Sequence, residues 1–410
     1  MTPLIADFLG ASRAEDVAPL AVTHLNIVVY AMAYWLSQPI LPFLTKELGA
    51  SPEVFGLFMS TFSFVQLVGG PIMGRICDTR GSRLALQISQ GGSALSYIML
   101  ALSYNLPLLF ASRLPTLAMH SMHAAQALVT DLTTGAERAK ALGRLSLSYG
   151  VGMIVGASAG GVLSETIGYS GVAMLSFALS AAMLPLNAAI LPRSKAAAAS
   201  EGETETKSSG LNLGEIVKLF RIPSARGLIA FLLIVAFGFG IHHTTMASAL
   251  PERFGLEAKD MGFMSSYAGV LSIVINSFVV GWATRRFDAV AILTFASVSL
   301  ALGFAAYSQA ATVVALYVLM IPLSLGSTLM YTLSTSVLTT VVPEEDTGTV
   351  IGVSHATRSL VGIVAPTAGG FIYASYGFQA IGLAAASLAI VGMVVMRATV
   401  VVPDEKSKKA

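Results

Sequence analysis

Twelve apolar stretches, each long enough to cross a lipid bilayer as one helix, make up most of this chain. A helix rises about 1.5 Å per residue and the hydrocarbon core is roughly 30 Å thick, so each crossing needs about 20 apolar residues. In lipid the backbone must satisfy its own hydrogen bonds, and a helix does so within one segment. We therefore predict an all-α membrane protein with twelve transmembrane helices, at residues 20–44, 54–76, 83–104, 106–130, 141–166, 170–192, 226–250, 261–284, 287–308, 311–340, 349–373 and 376–401.

Composition excludes a water-soluble protein. Charged residues make up 11% of the chain, whereas a soluble domain carries about 25%. The formal net charge of +2 gives no reason to expect nucleic acid as a partner. Cys77 is the single cysteine, which excludes an internal disulfide and a thiol-ligated metal cluster. We expect neither a metal nor a cofactor, and residues 1–19 lack the pattern of a secretory signal.

The distribution of lysine and arginine predicts the orientation of the chain. If both termini are cytoplasmic, only Lys46, Arg253 and Lys259 fall in segments on the opposite side. Arg113 and Arg358 lie within spans, and the rest of the 24 basic residues fall on the cytoplasmic side. Cytoplasmic loops carry the excess of lysine and arginine, so we predict cytoplasmic termini. The sequence leaves the plasma membrane and an endomembrane, such as that of a vacuole or lysosome, both open.

A polar segment divides the spans into two groups of six. Residues 194–210 are charged and rich in small residues, which is typical of a flexible linker. We predict a cytoplasmic N-terminal segment, a six-helix bundle, a cytoplasmic linker, a second six-helix bundle and a cytoplasmic tail, at residues 1–19, 20–193, 194–213, 214–402 and 403–410.

The two halves repeat a glycine pattern at a constant displacement. Parallel internal repeats of this kind are the build of one large class of secondary transporters. Glycine-rich helices resemble one another by chance, but three glycines with one shared displacement of 209 residues and a linker at mid-chain favour a true repeat. The pairs are Gly143 with Gly352, Gly160 with Gly369, and Gly161 with Gly370.

The loop between spans two and three resembles a known signature. It matches the loop motif of the major facilitator superfamily at Gly74, Asp78, Gly81 and Arg83, and departs from it at two positions where the family has basic residues. Residues 66–71, 109–115 and 131–144 look like the organic-cation-transporter-like carriers and their tetracycline/proton antiporter relatives. The resemblance covers the whole chain. It implies two pseudo-symmetric six-helix bundles and a proton-linked transporter or exporter that works by alternating access.

Span five resembles the antiporter signature of the same family. Its glycines are Gly152, Gly156, Gly160 and Gly161, with Ala157 in the place of a proline. Small residues let helices approach closely, so plain packing is an alternative to an antiport role. In span eleven, Pro366 removes a backbone hydrogen bond ahead of Gly369 and Gly370 and is a candidate for bending during gating.

The resemblance also implies a latch on the cytoplasmic side. In the family, the aspartate that matches Asp78 faces the start of span eleven, here near residues 348–349, where unpaired amides favour a carboxylate. We expect Asp131 and Arg138 to pair with Arg80 or Arg83 and so to hold the two halves together. The alternative is that these residues serve only as helix caps and topology signals.

Every histidine falls within a predicted span, together with two arginines, and no aspartate or glutamate lies in a span interior. Ionisable groups in hydrocarbon are costly and usually face a bundle interior or a water-filled path. The pattern therefore predicts a cationic interior that can take up protons. The residues are His24, His120, His123, His242, His243, His355, Arg113 and Arg358.

Helical spacing predicts which of these groups share a face. Arg113 and His120 are seven residues, or two turns, apart, and His123 is close to the same stripe. His355 and Arg358 are three residues apart and share a face of span eleven. Each histidine alone is equally consistent with a hydrogen-bonded packing role. Arg113 is consistent with a structural ion pair or a carbonyl clamp.

Span seven contains two adjacent histidines, His242 and His243. Neighbouring residues on a helix point in different directions, so we expect only one of them, His242, to face an interior.

By resemblance, Arg113 stands in the place of the family's span-four arginine, but Thr116 and Leu117 replace the glutamine and glycine that usually follow.

Polar and aromatic residues on other spans are candidates for a substrate cavity. Asn26, Tyr30, Tyr34 and Gln38 are spaced four apart and share one face of span one. Asn276 in span eight and Tyr331 in span ten add to this set. They can line a polar cavity with aromatic walls, or they can form hydrogen bonds between helices.

These patterns indicate a transporter and not an enzyme. The chain has no phosphate-binding Gly-Lys-Ser/Thr loop and no His-Glu-x-x-His motif. We predict proton-coupled transport of a small organic solute with an anionic group, because the arginines would bind an anion and neighbouring cations disfavour histidine protonation until it arrives. The alternatives are a proton antiporter for organic cations or drugs, and a ligand sensor or scaffold. The expected partners are the solute, protons and the lipid bilayer, and we expect a monomer.

Overall fold

The computed structural model describes residues 14–133, 135–192, 222–342 and 347–400. Within those ranges the regular structure is helical. The helices are α1 (Val17–Ser37), α2 (Leu41–Glu47), α3 (Pro52–Arg80), α4 (Ser82–Ala101), α5 (Leu106–Ala111), α6 (Ser121–Leu132), α7 (Gly135–Ile190), α8 (Pro223–Phe254), α9 (Ala258–Val274), α10 (Gly281–Arg286), α11 (Ala289–Ser308), α12 (Val313–Thr340), α13 (Thr347–Tyr376) and α14 (Phe378–Thr399). Short 3-10 segments lie at Ala14–Asp16 and Leu114–Ala118, and a π-helix at Ile275–Val280.

Each predicted span coincides with helix, although two of them share one continuous element. In the described part of the chain, nine helices are long and apolar enough to cross a membrane. α7 supplies two of the twelve spans, because Gly168 at φ 70° bends it into two arms. Only glycine adopts that backbone conformation at little cost. The other two spans are α4, whose glutamines and serines lower its mean hydropathy, and the interrupted helix of span four.

The chain divides into two compact units. The first contains residues 1–49, 65–209 and 256–269, and the second contains residues 50–64, 210–255 and 270–410. The two helices α3 and α9 therefore contribute residues to both units. The predicted bundles, 20–193 and 214–402, stay a prediction, and the two compact units differ from them in that α3 and α9 each contribute residues to both units.

In the first unit, α7 packs against α1 along a stripe of glycines. The backbone of α1 lies directly on this stripe: Gly156 faces Met32 and Gly160 faces Leu36. Apolar side chains of α1, α4, α6 and α7, including Leu86, Leu128 and Leu145, form the core beside it. Small residues at this contact let the two helices approach closely, and the resulting packing stabilises the bundle in lipid.

The part of α9 that belongs to the first unit, up to residue 269, packs on α7 around Ser158 and Gly161. Gly161 lies against the backbone of Ala258, and the hydroxyls of Ser158 and Ser266 are 2.6 Å apart. At the end of this contact the Lys259 ammonium is 2.8 Å from a carboxylate oxygen of Glu165. The contact therefore combines close backbone approach with polar side-chain bonds.

The part of α3 that belongs to the second unit, up to residue 64, makes the equivalent contact with α13. Gly56 lies against the carbonyl of Pro366, and Gly370 lies against Pro52. The hydroxyls of Ser60 and Thr367 are 2.8 Å apart. Each unit thus contains one helix end that crosses over from the other half of the sequence and is held by glycine contacts and one serine or threonine pair.

Candidate substrate and coupling sites

We predicted that span four, residues 106–130, is one continuous helix. That prediction is wrong, because the helix is interrupted. α5 ends at Ala111, a 3-10 segment follows at Leu114–Ala118, and α6 begins at Ser121. Pro115 lies in the 3-10 segment. Proline lacks the backbone N–H and its ring clashes with the preceding turn, so Pro115 favours a break, although α3, α7, α8, α12 and α13 each continue through a proline. The two-turn relationship that placed Arg113 and His120 on one helical face therefore does not hold.

Side chains of three neighbouring helices satisfy the carbonyls that the break exposes. Ser96 Oγ donates to the carbonyl of Ser112 at 2.7 Å, and Gln66 Nε2 donates to the carbonyl of Thr116 at 2.9 Å. The hydroxyl of Tyr30 donates to the carbonyl of Met119 at 3.1 Å. Irregular backbone at membrane depth is tolerated only where such partners exist. Gln66 and Ser96 were not predicted as site residues, and Pro115 was the sequence signal that could have indicated a need for donors.

Arg113 lies at the start of the broken segment and is buried, with 5% of its surface exposed. Its guanidinium interacts electrostatically with the phenol groups of Tyr34 and Tyr97. Tyr34 is a predicted cavity residue, whereas Tyr97 on α4 was missed because it lies among serines and alanines without a recognisable motif. The first unit thus places a buried cation beside tyrosine hydroxyls at a break in a membrane helix.

His120 and His123 stack on each other next to this break. Their ring centroids are 5.6 Å apart, with planes 14° from parallel. Two rings three residues apart meet in this way because His120 precedes the first residue of α6 and His123 lies in its first turn. Together with Cys77 and Asp78 of α3, they line a cavity of about 180 Å³.

The polar residues of α1 have two different environments. Asn26 is completely buried and exchanges amide hydrogen bonds with Asn187 at 2.6 and 2.9 Å, while Gln90 Nε2 donates to Asn26 Oδ1 at 3.2 Å. This geometry is that of an interhelical bridge, the second of the two roles considered for Asn26. Gln38 is half-buried at the other end of α1. His24 Nδ1 lies 2.9 Å from the hydroxyl of Ser148.

The pairing predicted for the latch residues stays a prediction, and in this structure two of these arginines bind backbone carbonyls. Arg83 donates to the carbonyl of Ala188 at 2.6 Å, and Arg138 donates to the carbonyls of Thr130 and Thr133, each at 3.2 Å. Among the described residues, no ion pair joins Asp131 or Arg138 to the arginines at 80 and 83. Arginine near a helix C-terminus satisfies the last carbonyls, which explains the position of Arg138.

The motif loop itself has a clear structural reason for its glycine. Gly81 separates α3 from α4 at φ 90°, a conformation that L-residues with a side chain rarely adopt. Asp78, Arg80 and Gly74 are exposed on the last turns of α3, and Ser82 Oγ donates to Asp131 at 3.3 Å. The start of α13, which the family comparison pairs with Asp78, has side chains outside the described residues.

The second unit contains a row of stacked aromatic groups that ends at an arginine. His243 stacks on Phe239 with centroids 5.6 Å apart, and Phe239 meets Tyr331 edge to face at 5.8 Å. The guanidinium carbon of Arg358 lies 5.1 Å from the centroid of the Tyr331 ring. We call His243, Phe239, Tyr331 and Arg358 the aromatic row. It joins two predicted site residues, and Phe239 was missed because an apolar aromatic in a span gives no polar signal.

Two other predicted residues of the second unit contact direct neighbours of this row, namely Phe304, which packs on Phe239, and Thr332, which follows Tyr331. His242 packs against Phe304 and Tyr307, with centroid distances of 4.7 and 5.1 Å, and is 6% exposed. Asn276 lies in the π-helix and its Oδ1 accepts from Thr332 at 3.2 Å. π-helical turns occur frequently at functional sites. The side chain of His355 falls outside the described residues.

Comparison with known proteins identifies the family. The Major Facilitator Superfamily model matches residues 23–366 and 289–410. Solute carrier family 22 member 18 of Mus musculus is 32% identical over 372 residues, covering 88% of this chain and 91% of the relative. The class C tetracycline resistance protein of Escherichia coli is 26% identical over 367 residues, covering 88% and 90%.

Solved structures show the same fold at lower identity. The human organic anion transporter MFSD10 (TETRAN) superposes with a TM-score of 0.63 at 20% identity, covering 92% of this chain and 99% of that one. The nucleoside transporter NupG gives a TM-score of 0.77 at 13% identity, covering 93% and 98%.

The chain is therefore a multi-pass membrane transporter. It belongs to the Major Facilitator Superfamily. The predicted all-α major facilitator fold is confirmed, with nine span-length helices in the described part of the chain, as is the resemblance to the organic-cation-transporter-like carriers and tetracycline antiporters.

Proposed function

We propose that this transporter moves a small organic solute bearing an anionic group, coupled to protons, by alternating access. The observation that carries the proposal is Arg113: a guanidinium, 5% exposed, that interacts electrostatically with the phenol groups of Tyr34 and Tyr97 where a membrane helix is broken. Arginine binds carboxylate and phosphate groups through a planar fork of donors, and burial strengthens that interaction.

The aromatic row supports the same proposal independently. Arg358 rests on the Tyr331 ring, which holds the guanidinium in place before a ligand binds. Rigid placement reduces the entropy that a ligand loses on binding. Predicted spans four and eleven, which carry Arg113 and Arg358, contain no aspartate or glutamate. In each unit, one membrane cation thus offers charge to an anionic group.

Proton coupling is the second part of the proposal. Histidine is the side chain whose ordinary pKa of about 6.5 lies closest to physiological pH. His120, His123, His242 and His243 all lie in described membrane segments, and two of them line a cavity. A histidine proton and a solute anion compensate each other's charge, so we propose that they move together as symport.

The second candidate is export of organic cations or drugs in exchange for protons. Relatives whose names identify them as tetracycline and multidrug resistance proteins support it. So does the aromatic row, because its rings are of the kind that attract a planar cation. Under this candidate, cation and proton compete for one site and exchange across the membrane.

We further propose cytoplasmic termini, a monomer, and a latch role for Asp78 at the cytoplasmic end of α3. The exposure of Asp78 supports the latch, since its carboxylate can meet a partner helix without disturbing the first unit. The excess of basic residues in one set of loops supports the orientation.

The test is flux into proteoliposomes with an imposed pH gradient and a mixed metabolite pool, read by mass spectrometry. We expect gradient-dependent uptake of carboxylates or phosphates, lost in Arg113→Gln and in Arg358→Gln. Arg397→Gln is the matched control, because Arg397 Nε donates to Thr294 at an exposed helix end, 3.1 Å away. Accumulation of cations would support the second candidate. Absence of gradient-dependent flux for every solute would favour a ligand sensor or scaffold.

A further inference from the structure

We propose that the cavity between α3 and α6 is a hydrated chamber that carries protons between Asp78 and the His120–His123 pair. The inference rests on the proposed proton coupling and identifies its path. We call this cavity the histidine chamber; its lining includes Cys77, Asp78, His120, His123 and Ala127.

Volume decides between a substrate site and a proton path. The histidine chamber measures about 180 Å³, whereas sites for drug-sized ligands span roughly 300–1,000 Å³. A water molecule takes up about 30 Å³ of liquid, so the chamber has room for a few waters and not for an organic solute with its shell. Buried water is stable where polar groups surround it. Here a carboxylate, a thiol and two imidazoles supply the polar groups, and Met73, Ala85, Ala124 and Ala127 form apolar parts of the wall.

The groups that line the chamber differ in their exposure. Asp78 is exposed on the last turns of α3, near the motif loop, and His123 is exposed at the start of α6. His120 is 9% exposed, packs against the backbone of Gly69 and Gly70, and stacks on His123. His120 is thus the least accessible of the three, and the proposed path leads from Asp78, through water, to this stacked pair.

Four titratable groups line the chamber, and Asp131 of α6 acts electrostatically on Cys77 from outside the lining. The titratable groups that line it are Cys77 and Asp78 from α3, with His120 and His123 from the broken span. The wall contributed by α4 is Ala85, which is apolar. Asp78 is thus the acid on this wall and the imidazoles are the bases, an arrangement suited to proton transfer through water.

The proposed step moves one proton from Asp78 to an imidazole. Protonated Asp78 gives its proton to a bridging water, and that water passes one of its protons to a neutral imidazole nitrogen. The products are the Asp78 carboxylate, an unchanged water and an imidazolium. Asp78 regains a proton from solvent, and the imidazolium releases its own when the carrier opens to the other side.

Glutamine variants test the path. Proton uptake is measured with a trapped pH dye in proteoliposomes, alongside solute uptake and solute–solute exchange at equal pH. We expect His123→Gln and His120→Gln to slow proton-driven accumulation by about 100-fold, the usual effect of losing a positioned proton carrier. Solute exchange is expected to persist. His24→Gln is the matched control, because His24 pairs with Ser148 outside the chamber.

The chain supplies a second, independent reporter. Cys77 is its only cysteine and lines the chamber, so a small methanethiosulfonate reagent reports chamber access without any engineered background. Ala127→Leu adds a larger side chain to the wall. We expect it to slow Cys77 modification and proton-driven accumulation together.

The possible negative results distinguish the proposed proton coupling from the proposed path. A wild-type protein whose flux ignores the pH gradient would overturn the proposed coupling itself. A gradient-driven wild type with equally coupled His120→Gln and His123→Gln variants would overturn the chamber alone. Unchanged proton-driven accumulation in Ala127→Leu, with Cys77 modification slowed, would also overturn it.

Discussion

The guanidinium of Arg358 lies over the face of Tyr331, 5.1 Å from the ring centroid, and the edge of that ring is packed by Phe239. A cation over an aromatic face is attracted by the electrostatic field of the ring. The contact therefore fixes the position of the Arg358 guanidinium. It is the most direct link in the second unit between packing and the proposed chemistry.

Replacing Tyr331 by leucine removes the ring under Arg358. We expect the affinity for the transported solute to fall by roughly 0.5–2 kcal/mol, up to about 30-fold in Kd, because Arg358 must then be ordered by the ligand. Solute binding to detergent-purified protein is the measurement. Tyr331→Phe keeps the ring face and should bind nearly as well as the wild type; equal affinity of the leucine variant would contradict the positioning role.

Replacing Gln66 by leucine removes a donor to the broken segment of span four. The carbonyl of Thr116 then loses its 2.9 Å bond, and we expect the free energy of unfolding to fall by about 1–3 kcal/mol. Thermal unfolding in detergent checks this. In the control Gln379→Leu, the lost partner is an exposed glutamine at 3.3 Å, so little change is expected. Similar losses in both variants would argue against a special need at the break.

Replacing Gly156 by alanine forces a methyl group into the backbone of α1. The added carbon would lie 2.9 Å from Met32 Cα, so we expect destabilisation of roughly 1–3 kcal/mol. Gly143→Ala on the same helix is the control, because nothing lies within 4 Å of its added carbon. That change should be neutral or stabilising by up to about 1 kcal/mol through helix propensity. Unfolding midpoints of the two variants should therefore move apart.

Replacing Asp78 by asparagine tests the latch. The side chain is exposed on α3, so we expect an unchanged unfolding temperature and loss of the transport cycle. Flux and thermal stability are measured on the same preparation. Asp288→Asn serves as control, because Asp288 caps α11 by accepting from the amide of Ala291 at 2.8 Å and asparagine caps equally well. Wild-type flux in the Asp78 variant would refute the latch role.

Much of the fold could be predicted because hydropathy is decided locally. A run of 20 apolar residues has one stable arrangement in lipid, whatever its neighbours are. Gly81 stands at a turn with positive φ, and the sequence motif had placed it in the loop between spans two and three. The interruption of span four was not predicted, although Pro115 is visible in the sequence, because its hydropathy continues across the break.

The candidate site was predicted only in part. Arg358 and Tyr331 were named separately, 27 positions apart in the chain, and nothing in either span predicts that one ring supports the other charge. Asn26 illustrates the opposite limit. Its spacing with Tyr30 fits a cavity face, yet its side-chain amide is hydrogen-bonded to Asn187, which is 161 residues away in the sequence. Helical periodicity predicts which residues share a face, and it does not predict what lies against that face.

The sequence alone determined that this chain is a twelve-span helical carrier with two repeated halves and basic side chains in its membrane segments. The tertiary structure decided where span four breaks, which donors compensate the break, and which histidines meet at a cavity. The physical reason is that membrane insertion depends on the summed transfer free energy of one segment. Broken backbone and buried charge depend instead on partners that only other helices supply.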